Sequence, residues 1–170
     1  HKEYRRQRQM CIRDRALESD TGESRSAALG EIATEGSAVS ALVGLFRASE
    51  LVMMQDPAAA SDVLAALIGQ ESISGDYSDL ALFKQLLLEG SGLDASARRS
   101  GFEQLSAAGN PLRLLAQEQL ALLDLQENDE TAAVKRLRDL LQDAEMTQNL
   151  RQRLGQLMVA LGQDPNALDG

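Results

Sequence analysis

Residues 110–141 read NPLRLLAQEQLALLDLQENDETAAVKRLRDLL. Asn110-Pro111 has the form of a cap followed by the first helical position. Leu112, Leu115, Ala116, Leu120, Leu122 and Leu123 then recur at helical spacing, predicting a broadly apolar helix to about Gln126. Asn128-Asp129 turns the chain and caps a second helix, with Ala133, Val134, Leu137, Leu140 and Leu141 on one side. The stretch is a helix hairpin, and it sets the reading of everything around it.

Upstream, Asp56-Pro57 repeats the cap-and-proline device. Ala60, Val63, Leu64, Leu67 and Ile68 follow it at helical spacing and stop at Gly69. Before it, Ser37 can cap a helix over residues 38–54. Its Val39, Leu42, Val43, Leu45 and Phe46 span more than half the circumference, which predicts packing on two sides. Ser78 or Asp79 is expected to open a helix through Leu80, Phe83, Leu86 and Leu87 to Gly90. Asp94 opens another, through Ala97, Phe102 and Leu105, ending near Gly109. A short leading segment runs from Ser24 to Thr34, with Ala28, Leu29, Ile32 and Ala33 together. Thr147 caps a last helix through Leu150, Leu154, Leu157, Met158 and Leu161, which Gly162 ends. No strand pattern competes with these eight helices. The class is all-α.

An internal repeat lies beneath the pattern. An offset of 73 residues sets Asp56 over Asp129, Leu42 over Leu115, Ala48 over Ala121, Ala60 over Ala133, Leu64 over Leu137 and Leu67 over Leu140. That is about two helix-pair repeats of roughly 34 residues with a small insertion. The expected arrangement is two and a half to three hairpins, a leading helix without a partner, and a closing helix over the last apolar edge.

Residues 1–15 are foreign to this pattern. They lack apolar periodicity and hold six of the 17 Lys+Arg. Arg5 to Arg15 resembles a translated sequencing adapter, in which CGT CGG CAG CGT CAG ATG TGT ATA AGA GAC encodes Arg-Arg-Gln-Arg-Gln-Met-Cys-Ile-Arg-Asp. The competing reading is a natural basic arm for nucleic acid or acidic lipid. We set the segment aside before reasoning about the fold. Residues 16–170 then keep 11 Lys+Arg and 24 Asp+Glu, a net charge of −13, against −9 for the whole chain of 170 residues. The sequence thus divides into the adapter-like 1–15, a truncated leading repeat helix over 16–37, a helical repeat domain over 38–162, and a tail over 163–170.

His1 and Cys11 are the only His and Cys, and both fall in the excluded segment. The remainder has no side chain that titrates near neutrality unperturbed and no thiolate nucleophile. It also lacks the usual ligands of zinc, haem and iron–sulfur clusters. Cofactors are expected to be none, as are catalytic and metal-binding residues. The acidic balance argues against nucleic acid or an anionic membrane as partner. No apolar run reaches the length that spans a bilayer.

The hairpins resemble the tetratricopeptide repeat family over nearly all of Ser24–Leu161, without the Trp and Tyr of its consensus first helix. Ala107-Ala108-Gly109-Asn110-Pro111, Ala116-Gln117-Glu118-Gln119-Leu120-Ala121, Asn128-Asp129 and Ala132-Ala133 are together similar to a narrower bacterial group. It is the tetratricopeptide-like domain of the ancillary SecYEG translocon subunit and cell-division-coordinator type. This resemblance implies a right-handed α-solenoid with a C-terminal capping helix. It implies a non-enzymatic scaffold for translocated or envelope proteins, anchored in the inner membrane by an N-terminal helix and facing the periplasm. The matching anchor is not in the sequence, as expected if the chain is truncated where the adapter-like segment begins.

Smaller motifs have plainer readings. Gly90-Ser91-Gly92-Leu93-Asp94-Ala95 fits a dinucleotide fingerprint in letters but follows a Leu-rich helix where a strand is needed, so we read an interhelical loop. Asp124, Gln126 and Asn128 mimic the first ligands of a calcium loop. Asp129 and Lys135 then stand where that loop needs Gly and Glu. Asp139 and Asp143, one turn apart, read as solvated charge. Arg98-Arg99 and Lys135-Arg136-Arg138 read as helix-surface residues. Met53-Met54 fits either an adaptable groove or core filling.

Three functions remain open. A protein or peptide partner can dock on stacked hairpins, with the partner-binding residues unknown and no direct membrane contact by this chain. A cytoplasmic helical-repeat adaptor or oligomerisation module is the alternative, the leading helix being expected to self-associate or fray. A carboxylate hydrolase in an all-α fold is the remote third, and it lacks the His of Glu-x-x-His pairs.

Overall fold

The computed structural model describes residues 21–30 and 37–165. The adapter-like segment and the predicted end of the leading helix at Thr34 lie outside the described residues. Eight α-helices and no strand occur among the described residues: α1 Gly22–Gly30, α2 Ser37–Met53, α3 Pro57–Ile68, α4 Gly75–Glu89, α5 Ala95–Leu105, α6 Arg113–Gln126, α7 Glu130–Leu141 and α8 Gln148–Ala160. A 3-10 turn, Gly90–Gly92, follows α4. The contacts divide into two compact units, the first ending at Gly92 and the second starting at Leu93.

The 73-residue offset reaches further than the hairpins from which it is read. Every described helix of the first unit, α1 to α4, has a counterpart in α5 to α8 at that offset. The agreement extends to individual turns. Gln55 and Asn128 end α2 and α6 with φ of 61° and 63°. The next amide, of Asp56 or Asp129, donates back to the carbonyl of Leu51 at 3.0 Å or of Asp124 at 2.8 Å. Asp56 then caps α3 by accepting from the Ala59 amide at 3.0 Å, and Asp129 caps α7 by accepting from that of Ala132 at 2.9 Å. Because both caps satisfy a helix-start N–H that has no other backbone partner, Asp56→Ala and Asp129→Ala should each cost about 1 kcal/mol. Denaturant titration of each variant checks this. An unchanged midpoint in both would show that water replaces the carboxylate without cost.

Burial follows the same register. Ala48 and Ala121, Ala60 and Ala133, Leu64 and Leu137, Leu67 and Leu140 are all buried, as are Leu29 of α1 and Phe102 of α5. The first core gathers Leu45, Leu64, Leu67 and Ile73 around the small Ala41, Ala48 and Ala81. The second gathers Val134, Leu137, Leu140, Leu150, Leu154 and Met158 around Ala121. Gly44 brings α2 and α3 close together, since a Cβ there would lie 2.8 Å from Leu67 Cδ2.

Some helix starts differ from the sequence reading. α4 begins at Gly75, not at Ser78 or Asp79. The Ser74 carbonyl takes the Tyr77 and Ser78 amides at 3.1 and 3.2 Å, while the Ser78 hydroxyl turns away to the Ile68 carbonyl. α6 begins at Arg113. Asn110 instead caps a turn, its side chain accepting from the Leu112 amide at 2.8 Å. α5 stops at Leu105, four residues before Gly109.

The expectation that α2 is packed on two sides is met. α1 and α3 cover two of its sides. Val39, Leu42 and Phe46 remain exposed among the described residues.

Candidate interaction surfaces

Two features of these units have the makings of a site: buried charge in the second and exposed apolar surface in the first. Glu118 and Asp124 on α6 are only 6% and 3% exposed. At the repeat offset they stand where α2 carries Leu45 and Leu51. Each carboxylate is neutralised from neighbouring helices. Arg99 of α5 donates from Nη2 to Asp124 Oδ1 at 2.8 Å, and Arg136 of α7 donates from Nε to Oδ2 at 3.0 Å. Arg153 of α8 forks onto both oxygens of Glu118. These bonds hold the Arg99 and Arg153 guanidinium groups more firmly protonated than usual. Carboxylates tied in this way to arginines of neighbouring helices brace those helices together.

Sequence reasoning missed this brace. It placed Arg99 and Arg136 on the helix surface and gave Glu118 no role beyond its place in a family-like stretch. The signal was present in the offset, which lays charged residues over Ser26, Leu45, Leu51, Val63 and Leu80 of the first unit.

A polar cleft of about 440 Å³ opens between α6 and α7, lined by Arg113, Gln117, Lys135, Arg136, Asp139 and Asp143 among others. Gln117, in its lining, stands at the repeat position of Gly44. Its cations are engaged. Lys135 donates to Asp139 at 2.7 Å and Arg136 to Gln117 at 2.7 Å. Arg113 forks onto Asp143 at 2.8 and 3.1 Å and reaches Glu145 at 2.7 Å. Asp139 and Asp143, adjacent in the sequence reading, are thus held by separate cations.

The bond from Arg113, followed by that from the Glu145 amide, holds the Asp143 carboxyl below the usual aspartate range. A lowered folded-state value gives stability that is present above the unfolded pKa, about 4, and lost as pH falls through the folded value. Titration from pH 7 to pH 4 should therefore leave the Arg113–Asp143 tie intact, with the Asp143 carboxyl resonance moving only at lower pH. A midpoint at or above 4 would contradict the geometry.

The other small motifs are also located. The Gly90–Gly92 turn follows helix α4, not a strand. Asp124 is enclosed by arginines, while Gln126 and Asn128 are exposed. No group of three or more His, Cys, Asp or Glu placed to hold a metal occurs among the described residues. Met53 and Met54 lie on the surface, not in a core.

The first unit presents a different face. Val39, Leu42, Phe46 and Met53 fall at intervals of three, four and seven along α2, and they are 53%, 44%, 57% and 74% exposed. Beside them a groove of about 330 Å³ runs between α2, α3 and α4. Ala48, Val52, Leu64, Leu87 and Leu88 line it with Ser49 and Lys84. No helix among the described residues is long and apolar enough to cross a membrane. No protein-family model, curated protein or solved structure matches the chain.

Proposed function

We propose that the chain is a non-enzymatic protein-interaction scaffold built as a right-handed α-solenoid of tetratricopeptide-like hairpins. In this reading it belongs to a membrane-anchored periplasmic protein of the ancillary SecYEG translocon subunit type, and it holds translocated or envelope proteins. The observation that carries the scaffold reading is the apolar stripe on α2. At the repeat offset, Phe46 and Met53 correspond to Gln119 and Gln126. The helical framework therefore tolerates polar residues at these places, and exposed apolar side chains there answer to something outside it. Anchoring and the periplasmic side rest on the family resemblance alone.

Site-specific photo-crosslinking tests the scaffold. A benzoylphenylalanine placed at Phe46 should give discrete protein adducts, and one at Gln119 should not. Equal adducts from both positions, or none from either, would count against it. Sequencing the uninterrupted gene upstream of Ala16 tests the anchor, which requires about twenty consecutive apolar residues.

A further inference from the structure

Taking the scaffold reading as given, we infer that the α2 face of the first unit receives one cationic amphipathic helix of a partner protein. Three observations converge on this occupant. The first is spacing. Positions 39, 42, 46 and 53 follow a heptad seam in which Ser49 takes the remaining place. Such a seam accepts the side chains of a second helix laid nearly parallel to the first. From Val39 to Met53 it is about 21 Å long at 1.5 Å per residue, which four turns of a partner helix would cover. The groove between α2 and α4 continues it sideways, giving the same helix a second apolar wall.

The second observation is charge. Among the described residues, the first unit holds eight Asp+Glu against only Arg25, Arg47 and Lys84, whereas the second holds eleven against eight Lys+Arg. The adapter-like residues 1–15, with six Lys+Arg against Glu3 and Asp14, are set aside. Arg25 is already spent on Glu50, to which it donates at 3.0 Å. Gly22 of α1 packs against Met54 and Glu50, near the Met53 end of the seam, and Glu23 and Asp56 lie within two residues of this contact in sequence. Such a field draws in a positively charged helix and repels a second copy of this acidic chain. The exposed Arg47 of α2 and Lys84 in the groove are the exceptions, and Lys84 would take an acidic group of the partner. The third observation is the internal comparison. The more evenly charged unit carries glutamines at the two seam positions where the acidic unit carries Phe46 and Met53.

The test uses the full chain and a fluorescently labelled 18-residue helix, with leucines along one face and lysines elsewhere, read by anisotropy. Two control peptides accompany it, one with the leucines replaced by serine and one with the lysines replaced by glutamate. The Leu/Lys helix should bind at least tenfold more tightly than either control, and more weakly in 300 mM than in 50 mM NaCl. Phe46→Gln with Met53→Gln, which installs the residues of the second unit at exposed positions, should weaken it at least tenfold, as expected when central apolar anchors are lost. Equal binding of the Ser/Lys peptide, equal binding of the Glu/Leu peptide, or binding unchanged in the double variant would each overturn the inference. So would a dimer of the free protein that the double variant dissolves, which would give the face to a second copy. Adducts at Phe46 without Leu/Lys binding would refute the cationic helix and leave the scaffold standing.

Discussion

Arg99→Ser combined with Arg136→Val is expected to destabilise the second unit by about 3–5 kcal/mol, the usual consequence of stripping the partners from a buried carboxylate. Asp124 is the group that suffers, being only 3% exposed. Both arginines reach it from outside helix α6, and both retain some contact with water. Taking a carboxylate out of water costs several kcal/mol, and the two guanidinium groups offset that cost only while they are present. The repeat supplies the matching rescue. Adding Asp124→Leu to the pair recreates the Ser26, Leu51 and Val63 set of the first unit. This triple variant should return to within about 1 kcal/mol of the natural chain, or exceed it, because well-packed apolar residues commonly replace buried ion pairs without loss. Guanidinium unfolding of the three proteins decides the matter. If the double variant unfolds with the natural chain, or the triple variant stays as weak as the double, Asp124 does not depend on its arginines.

Leu137→Ala should cost about 2–5 kcal/mol, and Leu64→Ala should cost a similar amount. The two leucines are 0% and 2% exposed and occupy equivalent places on α7 and α3, each facing its own core. Truncation removes three buried carbons and leaves a cavity that close-packed neighbours only partly fill. Calorimetry on the two variants should show comparable losses. A loss below 1 kcal/mol in either would mean that its core closes over the gap.

The fold was legible in the sequence where one signal sufficed. Helical periodicity and the Asp56, Asp94, Asp129 and Thr147 caps placed most helices within a residue or two, since each cap is a local exchange between a side chain and a free amide. The start of α4 was not legible. Ser74 works there through its backbone carbonyl, which leaves no mark on residue type. The exposed seam on α2 escaped for another reason: apolar residues at helical spacing look the same whether a neighbouring helix covers them or not. The charged brace was legible only by superposing the two halves, because a lone Glu118 or Asp124 on a helix has the appearance of surface charge.

Two halves built on one register carry a hazard during folding. Helix α1 could settle in the place of α5, or α2 in that of α6, and the turn geometry would do little to reject the exchange. The substituted positions supply the rejection. An α5 docked on α2 would press the Arg99 guanidinium against Leu51, and an α1 docked on α6 would leave Asp124 facing the hydroxyl of Ser26. The first wrong pairing sets a charge against an apolar side chain, and the second leaves Asp124 with one of its two arginines. The brace thus tells the sister halves apart, since Arg99 and Arg136 have their carboxylate only in the second.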